Sequence, residues 1–180
     1  MSKILKEICN KIINELEYKK QQCSLSSLKK ILPNEKNRDF KKLLEECQIN
    51  KKNNIIAEIK KSSPSAGDII KNYQPDEIAV QYEKCGAGAI SILTEKFFFK
   101  GDLDHLSLIN RKTNLPILRK DFIIDSYQIF ESKVYKADAI LLILSILDDK
   151  QVIEFIKIAK DLELDCIIEI HSQEELKRAV

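Results

Sequence analysis

Five apolar runs rich in β-branched residues recur along the chain, beginning near residues 55, 89, 116, 138 and 166. Each leads into a stretch whose apolar residues have helical spacing, and no exact sequence repeat accompanies the pattern. Strand and helix therefore alternate, which predicts a parallel sheet with right-handed crossovers and an α/β fold. An open doubly wound sheet and a closed (β/α)8 barrel both satisfy the alternation. No early strand-to-helix turn carries GxGxxG or GxxxxGK[ST], so a Rossmann or P-loop nucleotide site is not supported. Charged residues stand at the carboxyl ends of the first, third and fifth strands, where a barrel keeps its active site, and this favours the (β/α)8 TIM barrel.

The first 53 residues have a different character. Ile4, Leu5, Ile8, Ile12, Ile13 and Leu16 lie at helical spacing with Lys and Glu between them, which predicts an amphipathic helix over residues 2–20. A short helix over 24–32 is stopped by Pro33, and another over 39–47 has Phe40, Leu43 and Leu44 as its apolar side. Lys51 to Asn54 is a polar linker. The expected organisation is a helical leader, residues 1–53, followed by an alternating strand-and-helix part beginning at residue 54. In the second part Pro75 suits a helix's first turn, and Asp125 or Ser126, then Asp148 and Asp149, open later helices. Ser172 with Glu175 has capping-box spacing.

Composition narrows the function. Hydrophobic residues make up 44% of the chain, enough for a sizeable core, and 30 basic against 28 acidic residues leave a net charge of only +2. That balance argues against an electrostatic nucleic-acid binder. Cys9, Cys23, Cys47, Cys85 and Cys166 are odd in number and lack metal or redox spacing, and with only His105 and His171 no zinc site is expected. Both histidines look incidental. The N-terminus has no signal-peptide h-region, and the longest apolar stretch, near Leu141, is too short to span a bilayer. A soluble, cytoplasmic chain without membrane or nucleic-acid partners is expected.

Four charged residues carry the chemical signal. Glu58 and Lys60 are two apart, so a strand puts both on one face. Lys120 shares strand parity with Leu118, and Glu169 with Ile167, so each points the way of an apolar neighbour. Singly, each reads better as an ordinary surface charge at a strand end. As a set at matching positions they suggest general acids and bases converging at one mouth. Phe97, Phe98 and Phe99 offer an aromatic wall for a ring-bearing substrate, with one of the three facing it. Ser63, Pro64 and Ser65 form either a plain turn or a phosphate-holding loop.

These residues resemble the indole-3-glycerol-phosphate synthase family. The motifs that carry the resemblance are Ile56-Ala57-Glu58-Ile59-Lys60-Lys61-Ser62-Ser63-Pro64-Ser65-Ala66-Gly67, Ser91-Ile92-Leu93-Thr94-Glu95, Phe99-Lys100-Gly101, Leu118-Arg119-Lys120-Asp121-Phe122, Ala137-Asp138-Ala139-Ile140-Leu141-Leu142-Ile143 and Ile168-Glu169-Ile170. The resemblance implies closure of an indole ring in tryptophan biosynthesis. The phosphorylated substrate 1-(2-carboxyphenylamino)-1-deoxyribulose 5-phosphate would become indole-3-glycerol phosphate, with loss of carbon dioxide and water and with no cofactor or metal. It implies Lys120 as general acid on the substrate carbonyl and Glu169 as acid/base partner in dehydration. Lys60 would meet the substrate's carboxylate or phosphate and serve as an acid in dehydration, and Glu58 would position Lys60 and contribute to the proton steps. Phe99 would line the aromatic pocket and Ser63 would lie near the substrate. Association with other tryptophan-pathway enzymes is compatible with this reading.

The chain departs from the family pattern in two places. A (β/α)8 barrel takes about 250 residues, so a chain of five strands is expected to be truncated, lacking the family's sixth-strand asparagine and its phosphate-binding seventh and eighth loops. Its first and fifth strands would be open edges, and the chain alone is expected to be inactive and poorly folded. Lys136 stands where the family usually has glycine, which touches only a turn. The competing readings are a non-catalytic fragment of that enzyme, or another phosphosugar barrel such as phosphoribosylanthranilate isomerase, against which the Glu58–Gly67 motif speaks.

Overall fold

The computed structural model describes residues 3–43, 45 and 54–180. Cys47, most of the 51–54 linker and part of the expected 39–47 helix lie outside the described residues. The leader forms α1 (Lys3–Gln22) and α2 (Leu25–Lys30), followed by a helical turn that starts at Phe40. The alternating part contains β1 (Ile56–Ile59), β2 (Ser62–Ser63), β3 (Gly67–Asp68), α3 (Pro75–Lys84), β4 (Ala89–Leu93), α4 (Asp104–Asn110) and β5 (Ile117–Lys120). It continues through α5 (Ser126–Val134), β6 (Ala139–Ile143), α6 (Asp149–Asp161), β7 (Asp165–Glu169) and α7 (Gln173–Ala179).

The sheet has five parallel strands in the order β1-β4-β5-β6-β7, an arrangement that fits a partial barrel. Strand parity divides it into two faces. Ile90, Ile92 and Ile117 pack outward with Leu106 and Ile109 of α4, while Ile140 and Leu142 meet Phe155 and Ala159 of α6. Leu118, Ala139, Leu141 and Ile143 contribute to the opposite, interior layer. β1 differs from the expected buried strand: Ile55 and Ile56 are exposed and only Ile59 is fully buried. The physical reason is position, because among the described residues β1 and β7 each have a sheet neighbour on one side only.

The turn chemistry follows the side chains. Asp125 and Asp148 each form a complete capping box, with Gln128 and Gln151 respectively. Ser172 accepts the Glu175 amide, but the Glu175 carboxylate accepts from the His171 amide at 2.7 Å, one residue before the expected cap partner. The expected loop after β1 contains a small antiparallel hairpin, β2–β3, turned at Gly67 with φ +65°. Lys136 has φ +69°, a left-handed conformation in which a side chain costs about 1–2 kcal/mol and glycine costs least. Its ammonium reaches Glu35 at 2.6 Å, so the residue that strains this turn also ties the leader to it.

The leader touches both ends of the sheet. Ile8, Ile12 and Leu16 of α1 pack with Leu28 of α2 and with Phe98, Phe99, Phe122 and Tyr127, on the segments that follow β4 and β5. The apolar stripe is narrower than the periodicity predicts, since Ile4 and Ile13 are exposed. Further along, Phe40 is only 1% exposed and packs among Ala89, Leu118 and Ala139. Arg38 and Lys41 donate backbone N–H groups to Asp138 and Asp165, which precede or open β6 and β7. The leader thus runs from the carboxyl ends of the strands to their amino ends.

Candidate active site

The register aligns the strand ends: Glu58 lies opposite Ser91, Leu93 opposite Lys120, and Ile143 opposite Glu169. Interior parity then brings the four charged side chains together. Lys60 Nζ lies 2.6 Å from Glu58 Oε1, and the other oxygen of Glu58 lies 3.6 Å from Lys120 Nζ. Lys120 Nζ lies 3.9 Å from Glu169 Oε2. His171 Nε2 sits 2.9 Å from Glu169 Oε1. The result is a line of alternating charge, Lys60–Glu58–Lys120–Glu169, ending on a histidine. All four side chains keep about a third of their surface open, so they are reachable without being fully solvated.

This line borders a cleft of about 290 Å³ whose other walls are Leu93, Phe99, Asp121, Phe122, Leu141 and Ile143. The walls are mostly apolar and the charges are gathered on one side, a combination suited to a small molecule with an aromatic part and anionic groups. Of the three adjacent phenylalanines, Phe99 faces the cleft, its ring centroid 6.0 Å from that of Phe122. Phe98 packs with the α1 cluster, and Phe97 is exposed beneath Lys11. Ser63 is not among the cleft's lining residues; its hydroxyl accepts the Ala66 amide at 3.2 Å within the hairpin turn.

The aromatic loop is built around Glu95. Its buried carboxylate accepts the backbone N–H groups of Phe97, Phe98 and Phe99 at 2.8, 2.7 and 2.9 Å. The loop closes on Gly101, where a Cβ would run into the Leu93 carbonyl and the Thr94 backbone. Beside it, Arg119 is fully buried on the outer face of β5. Its guanidinium donates to Asp121 Oδ2 at 2.8 Å and to the Gln128 carbonyl at 2.9 Å, and pairs with Glu131 at 3.1 Å. Burial disfavours this charge, but Asp121 and Glu131 more than offset that and raise its proton affinity. Lys19 of α1 joins the network through Glu131 at 3.0 Å.

Sequence reasoning picked out Glu58, Lys60, Lys120, Glu169 and Phe99, and the structure gathers these five around one cleft. It did not single out Glu95, Arg119 or Asp121 as the support of that cleft, and it passed over His171 as incidental. The position of His171, two residues beyond Glu169, is the signal that was available. Among the described residues no group of three or more His, Cys, Asp or Glu is arranged to hold a metal ion, and no helix is long and apolar enough to cross a membrane.

The sequence profile of the family described as indole-3-glycerol phosphate synthase matches residues 5–180. The chain belongs to the indole-3-glycerol phosphate synthase family. An indole-3-glycerol phosphate synthase of Legionella pneumophila (strain Paris) is 46% identical over 180 residues, covering 100% of this chain and 68% of the relative. Its counterpart in Campylobacter fetus subsp. fetus (strain 82-40) is also 46% identical, over 98% of this chain and 68% of its own length. One from Campylobacter jejuni (strain RM1221) is 50% identical over 133 residues, 74% of this chain. The indole-3-glycerol phosphate synthase relationship thus runs through the leader as well as the strands that carry the cleft.

Proposed function

We propose that the cleft is an indole-3-glycerol-phosphate synthase site. The observation that carries this reading is the Lys60–Glu58–Lys120–Glu169 line beside the apolar wall of Phe99. The substrate is 1-(2-carboxyphenylamino)-1-deoxyribulose 5-phosphate. Its aromatic ring lies against Phe99, with its carbonyl oxygen toward Lys120. As the ring carbon attacks the carbonyl carbon, the oxygen gains negative charge and Lys120 protonates it. Carbon dioxide leaves from the ring carbon, and the new hydroxyl departs as water with Glu169 moving the proton. Lys60 neutralises a substrate anion and Glu58 holds Lys60 in place. Ser63 lies near the substrate from the β2–β3 hairpin, outside the cleft's lining, and the chemistry requires no cofactor or metal.

On the same reading residues 1–53 are a helical extension over the mouth and 54–180 form the first five strands of a (β/α)8 barrel. The protein works in the cytoplasm in tryptophan biosynthesis and is compatible with association with other enzymes of that pathway. The two one-sided strands, β1 and β7, favour a second outcome for the 180-residue chain by itself: binding without turnover. The test is indole-3-glycerol phosphate formation by the chain alone and by the chain supplemented with the carboxyl-terminal third of the Legionella relative. Supplemented protein should turn over, and Lys120→Ala should lower kcat by about 10²–10⁴-fold with the fold intact. A folded, supplemented protein without turnover, or an unchanged kcat in Lys120→Ala, would overturn the proposal.

A further inference from the structure

Glu169 is held from two sides. Its Oε2 faces Lys120 Nζ at 3.9 Å, on the cleft side. Its Oε1 contacts His171 Nε2 at 2.9 Å. The His171 side chain is 64% exposed, so its ring reaches from the carboxylate into solvent. The backbone that carries the ring is held as well, because the His171 N–H donates to Glu175 at 2.7 Å and Glu175 stands in the first turn of α7. A glutamate that gives its proton to the departing hydroxyl must be reprotonated from water before the next turnover. A substrate filling the cleft covers the cleft side of Glu169 and leaves the His171 side free.

We propose that His171 is the proton relay between Glu169 and solvent. This rests on the assignment of Glu169 as an acid/base group. The contact suits the task, since either partner can hold the shared proton. A neutral imidazole with Nε2 protonated donates to the carboxylate, and a protonated Glu169 donates to an unprotonated Nε2. In the outward step the Glu169 O–H bond breaks, Nε2 gains the proton, and the proton on Nδ1 passes to water. The inward step is the reverse, so no other reactant is consumed. The charged groups that bear on the pair are Lys120 from β5, Glu58 from β1 through Lys120, and Glu175 from α7. His171 is a positioning and relay residue; it does not line the substrate cleft.

Two measurements on the full chain test this. The first needs no substrate: the ring nitrogens of His171 are followed by NMR in the wild type and in Glu169→Ala. Nε2 should carry the signature of a hydrogen bond to a carboxylate, and Glu169→Ala should remove it. An Nε2 signal that is the same in the two proteins would overturn the proposal even if the protein proved to have another activity. The second measurement is turnover under the assay above. His171→Ala should lose at least about 10-fold in kcat and regain it with added imidazole, while His171→Gln, which keeps a hydrogen-bonding group but carries no proton, should stay low. Wild-type kcat in His171→Gln, or a His171→Ala defect that imidazole does not relieve in a folded protein, would reduce His171 to a structural contact. Absence of turnover in the wild type would count against the synthase reading and leave the NMR result to decide the relay.

Discussion

Glu95→Ala removes the one acceptor that gathers the amides of Phe97, Phe98 and Phe99. Hydrogen bonds to charged groups contribute about 1.5–3 kcal/mol each, so three of them set a ceiling of about 5–9 kcal/mol. The real loss is smaller. These amides are only part-buried, and a polar cavity of about 190 Å³ adjoins Glu95, so water replaces much of what the carboxylate supplied. The expected global destabilisation is about 2–3 kcal/mol, with Glu95→Gln losing about half as much because one carbonyl oxygen remains. The larger effect is local: Phe99 loses the scaffold that points its ring at the cleft. Amide hydrogen exchange at positions 97–99 should speed up well beyond the change at β5 or β6, and denaturant unfolding should supply the global figure. Unchanged exchange at those three amides, together with a stability loss below about 0.5 kcal/mol, would refute the claim that Glu95 builds the aromatic wall.

Phe40→Ala should destabilise the fold by about 3–5 kcal/mol in denaturant titration, because the ring is 1% exposed among Ala89, Leu118 and Ala139. A loss below about 1 kcal/mol would show that the leader does not seal that end of the sheet. His105 supplies a pH dependence: burial is the main cause that lowers its pKa below the ordinary 6.5, so the unfolded chain takes up the proton first as pH falls. Stability should therefore be level above about pH 6.5 and decline below it, and His105→Gln should flatten that part of the curve. Identical slopes in the two proteins between pH 6.5 and the carboxylate range would remove His105 from the account.

The strands were legible because the apolar period changes at each of them: expected starts near 55, 89, 116, 138 and 166 became 56, 89, 117, 139 and 165. Capping at Asp125 and Asp148 was legible because an N-cap is a local contact between a side chain and nearby amides. The role of Glu95 was missed although its contacts are local, to amides two to four residues on, because no helix follows it to mark it as a cap. That of Arg119 depends on a tertiary neighbour, the helix that carries Glu131 across the sheet's outer face. The left-handed backbone at Lys136 is invisible in a lysine and came through only as a departure from the family's glycine. Burial of the first strand was over-read, since an apolar run records what a residue can bury and not whether a neighbour is there to cover it.

Arg119 and Lys120 are adjacent on β5, yet they serve opposite sides of the sheet. Arg119 is sunk among Asp121, Glu131 and Gln128, whereas Lys120 looks into the cleft. A saturation screen scored on activity alone would record two intolerant neighbours and merge them into one hot spot. Scored on cellular abundance as well, the pair should separate. Arg119 variants should disappear from both readouts, because Asp121 loses its cation and Glu131 is left with Lys19 alone, which unfolds the protein before any substrate arrives. Lys120 variants should accumulate as intact but silent protein, so the border between architecture and chemistry falls within a single peptide bond.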